Sequence, residues 1–396
     1  MNTNGQDNHM EQPKAPNRPR IAHVNFCPSM GVYKKIAGQA QASKEAHLDI
    51  DFFILTDKPL HSDCNLNLIR FDWPKNLFKR KIAKNFKRYQ LLTELTDLSG
   101  YDRIILRYPT SVDLRFQGFL EKYGGRFISE HHADVIGELK VLEKGVLNPL
   151  RIRLERKNAS KILAQSSGII GVTEEIRNIY VEVAGKEKPS AVIPNGIDVE
   201  SVPFSEYLPY DQGQLNLLFV SSTFYPSHGL DRLLRGLQDY KGHYPISLTL
   251  VGDIYRREER TLLRSLNDQK VKVTRHKQLS RDELNRVFSQ THLAVSTLAL
   301  FRGGLKQGCP LKTREYMARG LPFIYSYDDL DLNEDLKFYL KIPANNDAVN
   351  IDDLFHFAVS LSDSNTSPRQ MRQYAENTLD WTIKMREMHT FALSTL

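Results

Sequence analysis

The stretch Ser296–Asp329, STLALFRGGLKQGCPLKTREYMARGLPFIYSYDD, decides how this chain is read. Apolar runs of strand character flank it, LAVSTL from Leu293 and LPFIYS from Leu321. Between them stand Arg302, Lys306, Lys312 and Arg314, the small residues Gly303, Gly304 and Gly308, Cys309, and one carboxylate, Glu315. Glu315 is expected to open a short helix, EYMARG, which Gly320 and Pro322 end in the usual way. A loop with fixed cations and bare backbone amides, running into a helix N-terminus, suits a phosphorylated ligand. A carboxylate on the first helical turn is poorly placed against phosphate and well placed against a pair of sugar hydroxyls. Together they make a nucleotide-sugar constellation.

Outward from this stretch the same rhythm repeats. In the first half, β-rich runs begin at Arg20 (RIAHVNF), Ile50 (IDFFIL), Arg103 (RIILRY), Arg126 (RFISE), Gly168 (GIIGV) and Ser190 (SAVIP). Helical patterns lie between most of them, such as KKIAGQAQASKEA from Lys34 and LRIRLERKNASKILAQ from Leu150. The second half repeats the scheme with NLLFVS, ISLTLV, KVKVT, LAVSTL and PFIYS, and with a helix announced by the capping box Ser280/Glu283. Strands alternating with helices predict parallel sheets, and two such series predict two doubly wound, Rossmann-like α/β domains. Pro, Asn and Gly break the pattern in IPNGIDVESVPF, Ile193–Phe204, which places the seam. The expected organisation is a disordered tail over 1–19, a first domain over 20–192, a second over 193–368 and a C-terminal helix over 369–396.

At 396 residues the chain can hold two cores, and 41% hydrophobic with 26% charged residues is the composition of an ordinary soluble protein. Cys27, Cys64 and Cys309 are scattered, which supports neither a disulfide framework nor a zinc site. No apolar leader and no window of spanning length is present, so a cytoplasmic protein is expected. The net charge of +7 favours a polyanionic partner: nucleic acid, anionic lipid or a phosphorylated substrate. From Lys75 to Arg88 there are seven basic residues and no acidic one. On a helix, Phe78, Ile82, Phe86, Tyr89 and Leu92 form one stripe, with Arg80, Lys81, Lys84, Lys87 and Arg88 around the other side. Such a helix over Lys75–Leu92 lies on an anionic membrane surface or packs its stripe in a core, and amphipathicity does not separate the two.

The pattern P-L-K-x-x-E-Y-x-A-x-G-x-P over Pro310–Pro322 and V-I-P-N-G-I-D over Val192–Asp198 resemble segments of retaining glycosyltransferases of the GT-B fold, family 4, of the bacterial surface-polysaccharide type. The resemblance covers nearly the whole chain from Arg20. It implies two domains facing a cleft, with a C-terminal helix crossing back to the first, where Trp381 resembles the family's aromatic residue. Two glutamates with seven residues between them mark the family's donor site. The second is Glu315 here, and Gln307 holds the position of the first, with Gly308 and Cys309 following it. A neutral amide at Gln307 still hydrogen-bonds a donor hydroxyl. The resemblance places the loop CPSMGVYKK, with Gly31, against the transferred sugar and phosphates. It places His131 or His132 on the acceptor side, where a neutral imidazole binds a sugar hydroxyl or steers the attacking one.

Most relatives clamp the diphosphate with an arginine and a lysine where this chain has Ser222-Thr223 and His228-Gly229. Arg302 and Lys312 are the expected substitutes, and His228 can donate to a phosphate. Arg275 and His276 are the candidates for base recognition. The triplets Asp49–Asp51 and Asp329–Asp331 are assigned no metal, and no cofactor is expected beyond the nucleoside-diphosphate sugar as co-substrate.

The implied activity is transfer of a hexose-type sugar, with retention, to a hydroxyl of a glycan acceptor, lipid-linked at the cytoplasmic face of the membrane, in capsule or other surface-polysaccharide synthesis. In the family's mechanism the leaving phosphate helps take the acceptor proton, so positioning and charge neutralisation dominate. A nucleotide-sugar epimerase of the same fold is the rival enzyme reading. A basic nucleic-acid-binding protein is the non-enzymatic one, although nothing in the chain resembles a nucleic-acid module.

Overall fold

The computed structural model describes residues 19–26, 29–60, 66–141, 147–205, 209–266, 270–333, 335–363 and 367–396. The expected tail, apart from Pro19, lies outside the described residues, as do Cys27 and Cys64. Seven strands form the first sheet: β1 (Ile21–Phe26), β2 (Ile50–Thr56), β3 (Leu66–Arg70), β4 (Arg103–Arg107), β5 (Phe127–His131), β6 (Gly168–Gly171) and β7 (Ser190–Val192). Six form the second: β8 (Leu215–Thr223), β9 (Ile246–Asp253), β10 (Val271–His276), β11 (Leu293–Val295), β12 (Phe323–Tyr325) and β13 (Tyr339–Lys341). Their orders are β3-β2-β1-β4-β5-β6-β7 and β10-β9-β8-β11-β12-β13, with every pairing parallel.

The central strands read as near-continuous apolar runs because helices cover both faces of each sheet. β1 and β5 are buried along nearly their whole length, and Ile21, Ile105 and Ile128 share a core with Ile36 of the helix Met30–Glu45. On the other face Val24, Ile104 and Leu106 meet Tyr89, Phe119 and Tyr123. β3 and β13 were not anticipated. Both are short edge strands, half exposed and paired on one side only, so neither leaves much of an apolar signature.

The chain crosses between the sheets twice at one place. On the way out Ile197 N–H donates to Leu379 O at 2.8 Å, and on the return Trp381 N–H donates to Ile197 O at 3.0 Å. Gly196 is required there, since a Cβ would stand 2.9 Å from Leu379 O and from the Trp381 ring. The return passes through a π-turn, Ala375–Leu379, into the helix Trp381–Ser394. Trp381, Met385, Met388 and Ala392 of that helix lie in the first domain's core, and Arg103 Nε donates to Thr395 Oγ1 at 2.9 Å. The last helix therefore belongs to the first domain's packing.

The basic run departs from a single helix. It breaks at Lys87 (φ −130, ψ 21) into Leu77–Phe86 and Arg88–Leu95. Tyr89 and Leu92 of the expected stripe are fully buried in the first domain, whereas Leu77 and Phe78 are 80% and 72% exposed. The core-packing reading holds for the second half of the segment, and the first half leaves an apolar tip exposed beside its basic residues. Among the described residues no helix is long and apolar enough to cross a membrane.

Candidate active site in the interdomain cleft

In each sheet the strand order reverses beside the first strand, between β1 and β4 and between β8 and β11. Crevices at the carboxyl ends of such strands are where open α/β sheets take ligands. A cavity of about 170 Å³ lies there between the domains, lined among others by His132 and Thr173 from the first, Asn195 from the crossing, and Thr297, Gln307 and Cys309 from the second.

The helix of the deciding stretch runs Leu311–Arg319, starting four residues earlier than expected, with Pro310 as its N-cap. Glu315 is thus the fifth helical residue and not the first. Its Oε1 accepts from Arg319 Nε and Nη2 at 3.0 and 2.8 Å, and the side chain stays 34% exposed. Lys312 sits in the first turn. Its Nζ is buried with no hydrogen-bond partner among the described residues, 5.1 Å from the Phe219 ring centroid of β8. Burial pushes this ammonium down to about 7. His228 Nδ1 accepts the Tyr225 N–H at 2.9 Å, so the neutral ring carries its proton on Nε2. Burial, and then the charge of Lys312, hold His228 down at about 3. Gly229 behind it takes φ 70, and a Cβ there would stand 2.9 Å from Leu298 Cβ. A helix N-terminus, an unmatched cation and a neutral donor converge.

Arg302 is placed differently from the expected diphosphate role. Its Nη1 and Nη2 donate to the two Asp231 oxygens at 2.6 and 2.8 Å, and Nε donates to Asn346 Oδ1 at 2.9 Å. Its charge is matched within the second domain, so of the two expected substitutes Lys312 is the one without a hydrogen-bond partner among the described residues. Arg314 is equally committed: fully buried, it pairs with Asp329 and Asp331 and donates Nε to Asn195 O at 2.9 Å. Asp331 also takes Lys384 of the last helix at 2.8 Å. The triplet Asp329–Asp331 thus ties the second domain to the crossing and to the C-terminal helix.

Gln307, Gly308 and Cys309 lie where the domains meet. Gln307 is bonded to Glu175 at the start of the first-domain helix Glu174–Ala184. Gly308 N–H donates to Asp328 O at 2.9 Å, and a Cβ at Gly308 would come 2.8 Å from Leu300. Cys309 packs with Val172, Ile176 and Tyr180 of the first domain, and its Sγ donates to Val172 O at 3.3 Å. Burial raises its thiol, which stays protonated.

The two histidines separate cleanly. His131 is buried, stacked at 3.5 Å on Tyr180 and bonded to Ser129 Oγ at 2.8 Å. His132 lines the cavity. Its Nε2 stands 3.1 Å from Glu130 Oε1, and burial above all holds the ring down at about 3, so it is neutral. Gly31 is not in a loop but in the first turn of the helix Met30–Glu45, with only Ser29 Oγ, at 4.0 Å, near a notional Cβ. Arg275 and His276 end β10, at the edge of the second sheet, with Arg275 exposed and His276 half-buried.

Sequence reading gave no individual role to Lys35, Glu130, Glu175 and Asn195. Lys35 and Asn195 were in view only as parts of the segments CPSMGVYKK and IPNGIDVESVPF. Glu130 and Glu175 are brought to His132 and Gln307 by topology, which no local pattern records.

Residues 214–337 match the family model described as Glycosyl transferases group 1. Among solved structures, sucrose-phosphate synthase from Thermosynechococcus elongatus superposes with a TM-score of 0.67 at 16% identity, over 95% of this chain and 99% of that one. The lipopolysaccharide outer core galactosyltransferase WaaB does so with 0.60 at 15%, over 95% and 100%. Anabaena HepE, solved in complex with UDP-glucose, gives 0.61 at 13%, over 95% and 100%. No curated protein sequence matches the chain. The chain has the two-domain GT-B fold of glycosyltransferases, and its second domain carries the segment that is similar in sequence to group 1 of those enzymes.

Proposed function

We propose that this protein is a metal-independent, retaining glycosyltransferase that moves a hexose-type sugar from a nucleoside-diphosphate sugar to a hydroxyl of a glycan acceptor. The observation that carries the reading is Lys312, a buried ammonium with no partner at the start of a nine-residue helix, beside the neutral donor His228. A diphosphate there meets a cation, an imidazole N–H and the positive end of a helix dipole at once. Glu315 follows Lys312 at i+3, on the same helix side, and accepts the ribose hydroxyls with the oxygen that Arg319 leaves open. Gln307 and Gly308 face the sugar, and Arg275 and His276 lie on the base side. His132, neutral and fixed, orients the hydroxyls on the first-domain wall. Within this reading the leaving diphosphate takes the acceptor proton, so the protein's task is placement and charge neutralisation.

The acceptor is taken to be lipid-linked and destined for a surface polysaccharide. Exposed Leu77 and Phe78 beside exposed Lys75, Lys79, Arg80 and Lys81 support docking at an anionic membrane face. The UDP-glucose bound by HepE makes uridine nucleotides the first donors to try. Turnover of a panel of nucleoside-diphosphate sugars by wild type and by Lys312→Met tests the reading: release of nucleoside diphosphate by the first, and a large loss in the second, are expected. No release from any donor, with or without glycan acceptors, would remove it.

A further inference from the structure

Lysine is rarely fully buried unless it is paired. Lys35, on the first-domain helix Met30–Glu45, has a side chain only 6% exposed, and the nearest carboxylate oxygen, Glu130 Oε1, is 4.0 Å away. That carboxylate is shared. His23 Nε2 approaches Oε2 at 3.0 Å and His132 Nε2 approaches Oε1 at 3.1 Å, so each oxygen accepts an imidazole N–H. Lys35 Nζ lies 3.1 Å from His132 Nδ1 and 3.3 Å from Nε2, so the ammonium rests against the whole ring. The same ammonium stands 5.5 Å from the centroid of the Trp381 ring. Trp381 is the residue whose N–H bonds Ile197 at the crossing, and its ring is wedged against Gly38 and Gly196. An unbroken series of contacts therefore runs from His23 through Glu130, His132 and Lys35 to the place where the chain passes between domains.

We propose that Lys35 is a positioning residue: it fixes the His132 ring that faces the cavity and joins that ring to Trp381 at the interdomain crossing. The inference rests on the proposed function only for its catalytic consequence; the placement of His132 does not depend on which reaction occurs. Glu130 accepts the Nε2 N–H and so sets the tautomer, and Lys35, within 3.3 Å of both ring nitrogens, fixes the orientation of the ring. The charged and titratable groups around it are Glu130, Lys35 and Arg107, with His131 next in sequence; Lys35 itself faces Glu130, Arg107 and Cys309. Glu130 favours protonation of His132, and Lys35 and Arg107 oppose it. Removing the Lys35 charge takes away the cation beside the ring and leaves the carboxylate in place, so His132 becomes easier to protonate.

The test follows the His132 ring resonances against pH, together with Trp381 emission, in a Trp73→Phe background that leaves one tryptophan. In Lys35→Met the His132 midpoint is expected to rise by about one pH unit or more, and Trp381 emission to shift. Lys35→Arg, which keeps the cation, is expected to restore most of the wild-type behaviour. With UDP-glucose as probe donor, Lys35→Met should lose about tenfold in kcat with KM little changed, because orientation and not binding is lost. An unchanged His132 midpoint and unchanged Trp381 emission in Lys35→Met would overturn the proposal. If Lys35→Met does not fold, Trp381→Phe removes the other end of the connection, and a His132 resonance unmoved by it would overturn the proposal as well. Failure of the wild type to turn over any donor would count against the activity alone, since the resonance and emission measurements still decide the role of Lys35.

Discussion

Gln307 and Glu175 bond each other twice across the domain boundary: Gln307 Oε1 accepts the Glu175 N–H at 2.9 Å, and Glu175 Oε2 accepts the Gln307 N–H at 3.0 Å. Glu175 Oε2 also takes the Lys306 N–H at 2.8 Å. The loop at Lys306 and Gln307 of the second domain is thus pinned to the first turn of a first-domain helix. Each bond joins one side chain to the other residue's backbone, so each truncation removes its own contact and leaves the other in place. Gln307→Ala and Glu175→Ala should each destabilise by about 1 kcal/mol, and the double variant by close to the sum. Urea unfolding of the four proteins measures this, and no loss in either single variant would show that the loop is held by other contacts.

Arg302 is expected to matter for folding before it matters for turnover. Its partner Asp231 has a side chain only 3% exposed, and removing the guanidinium leaves that carboxylate with Arg235 at 2.9 Å and Arg256 at 4.0 Å. Stripping one partner from a buried pair costs about 3–5 kcal/mol, and the remaining arginines place Arg302→Ala at the low end. Asp231→Asn in the same chain should recover part of the loss. Unfolding midpoints decide it: a stable Arg302→Ala with lowered donor affinity would return Arg302 to the phosphate site.

His132 and His228 both protonate at about 3 in the fold, against 6.5 for the free side chain. Between those values the unfolded chain binds protons that the folded one does not. Stability is therefore fully present above about 6.5 and falls as the pH drops from there toward 3. Each histidine contributes up to about 1.4 kcal/mol per pH unit in that window. Thermal melts of His228→Gln from pH 7 to 4 should show a shallower decline than the wild type. Parallel declines would mean that His228 is protonated in the fold over the same range as in the unfolded chain.

The fold was legible because its signal is repetitive. Apolar runs such as those from Arg103 and Ile246, alternating with helical patterns, give parallel sheets whatever the details. β3, β13 and the break at Lys87 were not legible, since edge strands and short helix joints depend on what they pack against. The site was legible in part for a related reason. Lys312, His228 and His132 stand in local patterns, and the structure puts His132, and not His131, at the cavity. Arg302 looked free in the sequence because Asp231, its partner, is 71 positions away. Glu315 looked like a helix start because Leu311 and Lys312 have no capping polar residue before them, only Pro310.

The exposed tip of the helix Leu77–Phe86 carries the membrane prediction. Each Lys or Arg near an anionic surface contributes roughly 1 kcal/mol at low salt. Replacing Lys79, Arg80 and Lys81 by Gln, with Phe78→Ser, should abolish sedimentation with phosphatidylserine-containing vesicles and leave unfolding unchanged, because these side chains are exposed. Rising salt should release the wild type. Equal sedimentation of variant and wild type would assign this face to ordinary solvated surface.

The most direct measurement is calorimetric titration of nucleoside diphosphates, UDP first, into wild type and Lys312→Met at pH 8. Lys312 protonates at about 7 while buried without a partner, so at pH 8 the unliganded protein holds it mostly neutral. A bound diphosphate restores the charge, and binding should take up a proton, read as a dependence of the heat on buffer ionisation enthalpy. A charge-assisted contact of this kind is worth about 1.5–3 kcal/mol, so Lys312→Met should bind roughly ten- to a hundredfold more weakly and take up no proton through this group. Equal affinity and equal proton uptake in the two proteins would place the diphosphate elsewhere and contradict the site.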